Sequence, residues 1–242
     1  MTQTLDFQRQ TVLPAAPERV WSAVATGAGN LAWLFPMEIE PWVGGVVSRG
    51  PCTVTVWNPP SDFACVHEAE ALTAKLTYRI EAQDGGSVLH THIHRDYHQP
   101  INDLPVQLEA AETHTDFYNH TLGEYLRHFD GRPATFVQVI GPDASRTKDS
   151  FLALRRALGL PEDVKAGDAV RITPAGLPAL DVVVDYLDPL FLGLRGTGGF
   201  YRFFGRNHWG VPVALCLHLF DSGVDAAQTE QAWHAWLDGV FA

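Results

Sequence analysis

Three histidines at alternate positions are the first candidates for a functional site, because imidazole side chains can bind metal ions. His90, His92 and His94 lie two residues apart, so in a strand their side chains would project from one face. Imidazoles in that arrangement could hold a transition-metal ion. Leu89 and Ile93 alternate with them and resemble the interior-facing side, which would leave the histidines outside. No carboxylate or Cys at a suitable spacing adds a ligand, so we expect no metal site here.

A second polar group repeats at helical spacing. Asp116, His120 and Glu124 lie four residues apart and would form one stripe on a helix. Such a stripe could bind a metal or support acid–base work. The opposite face is strongly apolar, so we expect the stripe to be the solvated side of an amphipathic helix.

Two common catalytic motifs find little support. The glycine-rich stretch at residues 193–199 superficially resembles a phosphate-binding loop, but the segment after it, residues 200–204, is strand-like. A phosphate loop should instead open a helix, so a hairpin turn is the better interpretation. The sequence contains no Gly-x-Ser-x-Gly elbow, which disfavours a hydrolase nucleophile of that kind.

The densest cluster of functional groups lies near the C-terminus. Residues 200–209 hold five aromatic side chains, and Arg206, Asn207, His208 and Trp209 sit together at a bend flanked by glycines. Packing in a core would explain the aromatic residues. Mixed polar and aromatic groups at a bend can also orient a ligand at a pocket mouth.

Composition limits the classes of protein that this chain could be. Its 242 residues suit one large or two ordinary domains, and 46% hydrophobic against 19% charged residues excludes a disordered chain. The net charge of −11 without any basic run disfavours nucleic acid and anionic membranes as partners. Three cysteines, none in a Cys-x-x-Cys pair, disfavour a disulfide framework and predict a reducing cytoplasmic location. Residues 1–10 lack the charged and apolar pattern of a signal peptide, so we do not expect one there, and no apolar run reaches the ~20 residues that span a bilayer.

The sequence of the first half predicts a strand, two helices, several strands and a long helix, in that order. Residues 4–13 alternate like a half-buried strand, Pro17 suits a first helical turn, and Gly27 and Gly29 are predicted to end that helix. A short second helix follows at 31–35. The sequence Asp84-Gly85-Gly86 predicts a hairpin. Further strands are predicted at 53–57, 63–66, 76–81 and 88–93, and a polar loop to about residue 111 precedes the long helix.

The same order of elements recurs in the second half. A strand at 135–140 and a helix ending near 158 precede a set of strands and a terminal helix from about 226. Strands are predicted at 169–172, 181–186, 191–194, 200–204 and 213–220. The polar link at 130–133 separates the halves. We therefore predict an α+β chain of two tandem domains, 1–131 and 134–242.

The first half resembles a known family. The residues that carry the resemblance are Ala16-Pro17-Glu18-Arg19-Val20-Trp21, Leu31-Ala32-Trp33-Leu34-Phe35, Gly44-Gly45, Val56-Trp57-Asn58-Pro59-Pro60 and Asp84-Gly85-Gly86-Ser87. It is similar to the SRPBCC (START-like) superfamily, in the branch named after the activator of the heat-shock-protein-90 ATPase. The resemblance implies a helix-grip fold, a curved antiparallel sheet wrapped around a long C-terminal helix. The second half lacks the Trp-x-Pro-Pro signature and could be a diverged copy or a family-specific extension.

The resemblance implies a cavity that binds an apolar small molecule, without a cofactor. Aromatic and apolar residues on the predicted inner faces would line it: Trp33, Phe35, Trp57, Phe63, Tyr78, Leu122 and Tyr125 in the first domain, and Tyr201, Phe203, Trp209, Trp233 and Trp236 in the second, with Arg206, Asn207 and His208 orienting the ligand. One alternative is a cyclase- or dehydratase-type enzyme that uses His208 and Arg206, or Tyr78. Another is a co-chaperone-like interaction module. The sequence is also compatible with a homodimer.

Overall fold

Long antiparallel strands form the first sheet of the computed structural model, which describes residues 2–48 and 52–242. The alternation at the N-terminus is confirmed, because Leu5, Phe7 and Leu13 are buried and their neighbours are not. The sheet order is β1-β6-β5-β4-β3-β2. Its strands are β1 (Gln3–Leu13), β2 (Val46–Val47), β3 (Cys52–Asn58), β4 (Asp62–Ala69), β5 (Leu72–Gln83) and β6 (Gly86–Tyr97).

Three helices accompany this sheet: α1 (Pro17–Val24), α2 (Gly27–Leu31) and α3 (Leu104–His128). The long helix α3 packs against β1, where Arg9 pairs with Asp116 at 2.6 Å. Phe117 and Leu122 are fully buried on the side of α3 that faces the interior. An antiparallel sheet with one long C-terminal helix packed against it is the arrangement predicted for this half, and the predicted α+β fold class is correct.

The structure differs from the sequence-based predictions at both early helices and at α3. Gly27 and Gly29 lie inside α2 instead of ending α1, because Thr26 caps the new helix by accepting a hydrogen bond from the Gly29 amide. A Cβ at Gly29 would fall 2.1 Å from the Ser22 carbonyl oxygen, so this close helix contact requires glycine. The helix α3 begins at Leu104, within the predicted loop, since Pro105 is tolerated in a first helical turn.

The second sheet repeats the first strand for strand. Its order is β7-β12-β11-β10-β9-β8, so its first strand again pairs with its last. The strands are β7 (Thr135–Ile140), β8 (Ala169–Ile172), β9 (Leu180–Leu187), β10 (Phe191–Arg195), β11 (Gly199–Phe204) and β12 (Ala214–Leu219). The glycine-rich stretch joins β10 to β11 as a hairpin, which confirms the predicted turn.

The helices of the second half also follow the order of the first. The predicted helix to 158 is divided into a 3-10 turn at Asp143–Arg146 and α4 (Ser150–Ala157), and the chain ends with α5 (Ala226–Val240). Trp233, Trp236 and Leu237 of α5 are buried against the sheet. The chain thus divides into two compact units, 1–133 and 134–242, each an antiparallel six-stranded sheet with a long C-terminal helix.

Within residues 2–48 and 52–242, no helix is both long enough and apolar enough to cross a lipid bilayer.

Candidate functional site

A pocket of about 520 Å³ opens in the second unit between the terminal helix and the sheet. Its walls come from four places: the approach to β9, the β10–β11 hairpin, the end of β12 and the first turns of α5. Pockets of roughly 300–1,000 Å³ are the size that small-molecule ligands occupy. The lining residues that enter the argument below are Asp181, Tyr201, Asp221, Asp225 and Trp233.

Two aromatic side chains form the inner wall of this pocket. Tyr201 of β11 and Trp233 of α5 contact each other with ring centroids 5.8 Å apart. Alternation along β11 aims Tyr201 and Phe203 at the helix, and the helical spacing brings Trp233 above them. The sequence predicted both wall residues as ligand-binding, and the structure brings them together.

The rim of the pocket is acidic. Asp181, Asp221 and Asp225 belong to the lining, which within the described residues contains no Lys, Arg or His. Asp181 is paired with Arg171 at 2.8 Å, and Asp225 caps α5 by accepting a hydrogen bond from the Gln228 amide. A pocket with this rim favours a neutral or cationic ligand group over an anionic one.

The Tyr201 hydroxyl stays protonated in this setting. Burial of the ring raises the pKa of Tyr201, and the nearby negative charge of Asp221 raises it further. The phenol can therefore donate a hydrogen bond to a ligand at neutral pH. The hairpin glycine supports this arrangement, because a Cβ at Gly198 would fall 2.1 Å from Asp221 Oδ2.

Phe203 and Trp236, also predicted to bind ligand, lie behind the wall. Phe203 is fully buried, and its ring centroid is 6.1 Å from that of Trp233 and 6.4 Å from that of Trp236. Neither residue belongs to the pocket lining. They hold the wall in place by core packing.

The bend at residues 206–209 forms a 3-10 helix outside the lining of this pocket. The Asn207 amide donates hydrogen bonds to the carbonyls of Thr147 and Lys148, so it fastens the loop before α4. Arg206 lies over the Phe204 ring at 4.7 Å, and the Trp209 ring contacts Phe191. His208 is exposed. Local sequence could not reveal that Asn207 bonds to a segment sixty residues away.

Most of the residues predicted to line a cavity in the first unit are buried. Trp57, Phe63 and Tyr78 form a chain of ring contacts, with centroids 6.0 Å and 6.2 Å apart. Trp33 is buried and donates its indole hydrogen to the Ala23 carbonyl. The remaining predicted residues are Leu122 and Tyr125, both buried, and Phe35, which is half-buried against Tyr118.

The histidine strand faces outward as predicted, but its surroundings differ from the prediction. Leu89 and Thr91 are buried, while the three histidines alternating with them are half-exposed. The expectation that no carboxylate adds a ligand was wrong. Asp6 of β1 places Oδ2 2.9 Å from His92 Nε2 and 2.6 Å from His94 Nδ1. Hydrogen bonds from His94 and His92 lower the pKa of Asp6, and the bonds to Asp6 and Asp96 raise the pKa of His94.

Three charged side chains, Glu124, Arg202 and Asp185, are buried. Glu124, predicted on a solvated stripe, is buried and bonds to Arg127. Arg202 and Asp185 form an ion pair with side chains only 1% and 4% exposed. Arg202 alternates with Tyr201 and Phe203 along β11, so this pair lies on the opposite side of the strand from the pocket wall.

Comparisons with known proteins give structural neighbours. No family model and no curated protein matches the chain. Solved structures that resemble it include a Mesorhizobium loti protein, 20% identical with a TM-score of 0.41, covering 53% of this chain and 99% of that one. A Rhodobacter sphaeroides protein is 24% identical with a TM-score of 0.42, over 53% and 99%. The Aha1 dimer from Colwellia psychrerythraea is 15% identical with a TM-score of 0.41, over 50% and 95%.

Proposed function

We propose that this chain binds a largely apolar, ring-containing small molecule in the pocket of its second unit, without a metal or nucleotide. The observation that carries this proposal is the wall of Tyr201 and Trp233 at the base of a pocket of about 520 Å³. Burial of an aromatic ligand against such a wall contributes ~25 cal/mol per Å² of apolar area.

The acidic rim of the pocket disfavours ligands that carry a negative charge. Asp221 and Asp225 place two carboxylates at the opening, and none of the described lining residues is Lys, Arg or His. An acyl ligand with a free carboxylate would meet like charge there. The ligand class that fits is an aromatic ring carrying a neutral polar group or an amine, with the Tyr201 hydroxyl as a donor.

A matched pair of probes tests the ligand class. An arylalkylamine and an arylalkanoic acid of equal size would be titrated by thermal shift and calorimetry. We expect the amine to bind about tenfold or more tightly than the acid, a difference of ~1.4 kcal/mol. Asp221→Asn should reduce that preference, whereas Asp238→Asn, an exposed carboxylate on α5 outside the lining, should not.

Native mass spectrometry of the purified protein, followed by organic extraction, tests binding more broadly. A retained aromatic molecule would support the proposal. If no ligand is retained, and a broad panel of apolar molecules leaves the unfolding temperature unchanged, binding in this pocket is refuted.

We further propose that both units are domains of the SRPBCC superfamily in tandem, the second a diverged copy. The identical strand order of the two sheets supports this. A cytoplasmic location is part of the same proposal, supported by three free thiols at Cys52, Cys65 and Cys216. A cyclase- or dehydratase-type reaction has weaker support, because the described lining contains no histidine to move a proton.

An interaction role is the second candidate. Trp42, Val43 and Val46 are 52%, 64% and 53% exposed, beside the edge strand β2. Exposed apolar side chains at a sheet edge favour association with another chain. If that partner is a second copy, sedimentation should show a concentration-dependent dimer that Trp42→Glu abolishes. A monomer at all concentrations would exclude the homodimer.

A further inference from the structure

We infer that the outer face of the first sheet carries a site for one divalent transition-metal ion, held by Asp6, His92 and His94. One ligand atom from each residue lies within 4.8 Å of the other two. Two imidazole nitrogens and a carboxylate oxygen are a ligand set that suits zinc, nickel, copper or iron(II). The site is separate from the proposed pocket, whose lining residues all belong to the second unit.

Strand pairing fixes the backbone positions of these ligands. Asp6 is paired directly with His94, and Gln8 with His92, within a register that runs from Gln3↔Tyr97 to Leu13↔Ser87. Adjacent strands hold directly opposed Cβ atoms at ~4.5–5.5 Å, so the side chains converge without any backbone movement. The ligand geometry is therefore largely set before an ion arrives.

The side chains already point at one another. Asp6 Oδ2 lies 2.9 Å from His92 Nε2 and 2.6 Å from His94 Nδ1. An ion at ~2.0–2.2 Å from each ligand needs ligand atoms about 3.4 Å apart in a tetrahedral site. For each of the two Asp6–histidine pairs this requires a widening of less than 1 Å, which side-chain rotation can supply, and the three ligand atoms already lie within 4.8 Å of one another. The three side chains are 46%, 36% and 33% exposed, so an ion can enter and water can complete its coordination.

A second carboxylate orients one of the histidines. His94 Nε2 lies 3.0 Å from Asp96 Oδ2, and the Thr4 hydroxyl donates to Asp96 Oδ1 at 2.7 Å. When the Nε2 hydrogen is donated to Asp96, Nδ1 is left with its lone pair toward Asp6 and the ion. A carboxylate behind a ligating histidine is the usual support of a protein metal site.

Metal titration of the untagged 242-residue chain tests this site. Calorimetry with zinc and nickel chloride should give one ion per chain. Asp6→Asn, His92→Ala and His94→Ala should each weaken binding by at least about tenfold. Asp96→Asn should weaken it by about tenfold, because that carboxylate orients a ligating histidine. His90→Ala is the matched control, because it lies on the same face of β6 but outside the cluster.

Circular dichroism of each variant would establish that the sheet is intact, as expected for substitutions on an exposed face. The inference is overturned if the wild-type protein binds neither ion at millimolar concentration. It is equally overturned if binding is unchanged in Asp6→Asn and His94→Ala, or if His90→Ala weakens it as much as they do. None of these outcomes bears on ligand binding in the second unit.

Discussion

Replacing Trp233 by alanine probes the wall on which the proposed pocket depends. The Trp233 side chain is 4% exposed, and its ring contacts those of Tyr201, Phe203 and Trp236 at centroid distances of 5.8, 6.1 and 5.4 Å. The substitution removes the ring from the centre of this aromatic cluster. It should therefore destabilise the second unit and open the pocket at the same time.

The magnitude follows from burial. A tryptophan side chain buries about 200 Å², which at ~25 cal/mol per Å² is worth about 5 kcal/mol. That figure is an upper estimate, because the unfolded chain already buries part of the ring and alanine keeps part of the buried area. We expect a loss of about 3–5 kcal/mol in the free energy of unfolding, the range measured for Trp→Ala in protein cores.

Urea unfolding followed by circular dichroism measures this loss on the full chain. His234→Ala is the control on the same helix, because that side chain is exposed and pairs with Asp238 at the surface, so its loss should cost less than about 0.5 kcal/mol. If Trp233→Ala and His234→Ala have the same unfolding midpoint, Trp233 does not hold the terminal helix to the sheet, and the proposed wall is wrong.

Three further predictions concern buried polar groups. Burial raises the pKa of Cys65 to about 12 and of Cys216 to about 11 from 9.0, so both remain thiols at about pH 8. A disulfide reagent should label them only in urea, and rapid labelling of the native protein would contradict this. The stability that the two buried thiols contribute below pH 9.0 should be lost as the pH rises toward about 11 for Cys216 and about 12 for Cys65. Asp185→Ala should cost about 3–5 kcal/mol by leaving Arg202 buried without its carboxylate, while Asp185→Leu with Arg202→Met should recover most of it in urea unfolding; a double variant as unstable as the single would refute the ion-pair account. Asn30→Ala should cost about 2 kcal/mol by calorimetry, because its amide donates to two backbone carbonyls; an unchanged unfolding temperature would show those bonds to be dispensable.

The sequence alone determined the order and type of most elements. Alternation placed β1, helical spacing placed α5, and the Asp84-Gly85-Gly86 turn placed the β5–β6 hairpin, where Gly85 has a φ of +79°. These features are local, because backbone geometry sets the periods of strands and helices and the φ angles that turns require. Tyr201 and Trp233 could be chosen as inner-face residues on the same grounds.

Tertiary structure decided which of these residues meet. Asp6 joins His92 across 86 positions, and Asn207 bonds to a loop sixty residues earlier, contacts that depend on strand register and chain path. The burial of Arg202 and Asp185 is likewise invisible in the spacing of either residue. Spacing predicts the face of a strand or helix on which a side chain lies. The neighbours of that side chain come from distant segments, which only the folded chain brings together. Those neighbours determine whether a polar group belongs to a site or holds a loop in place.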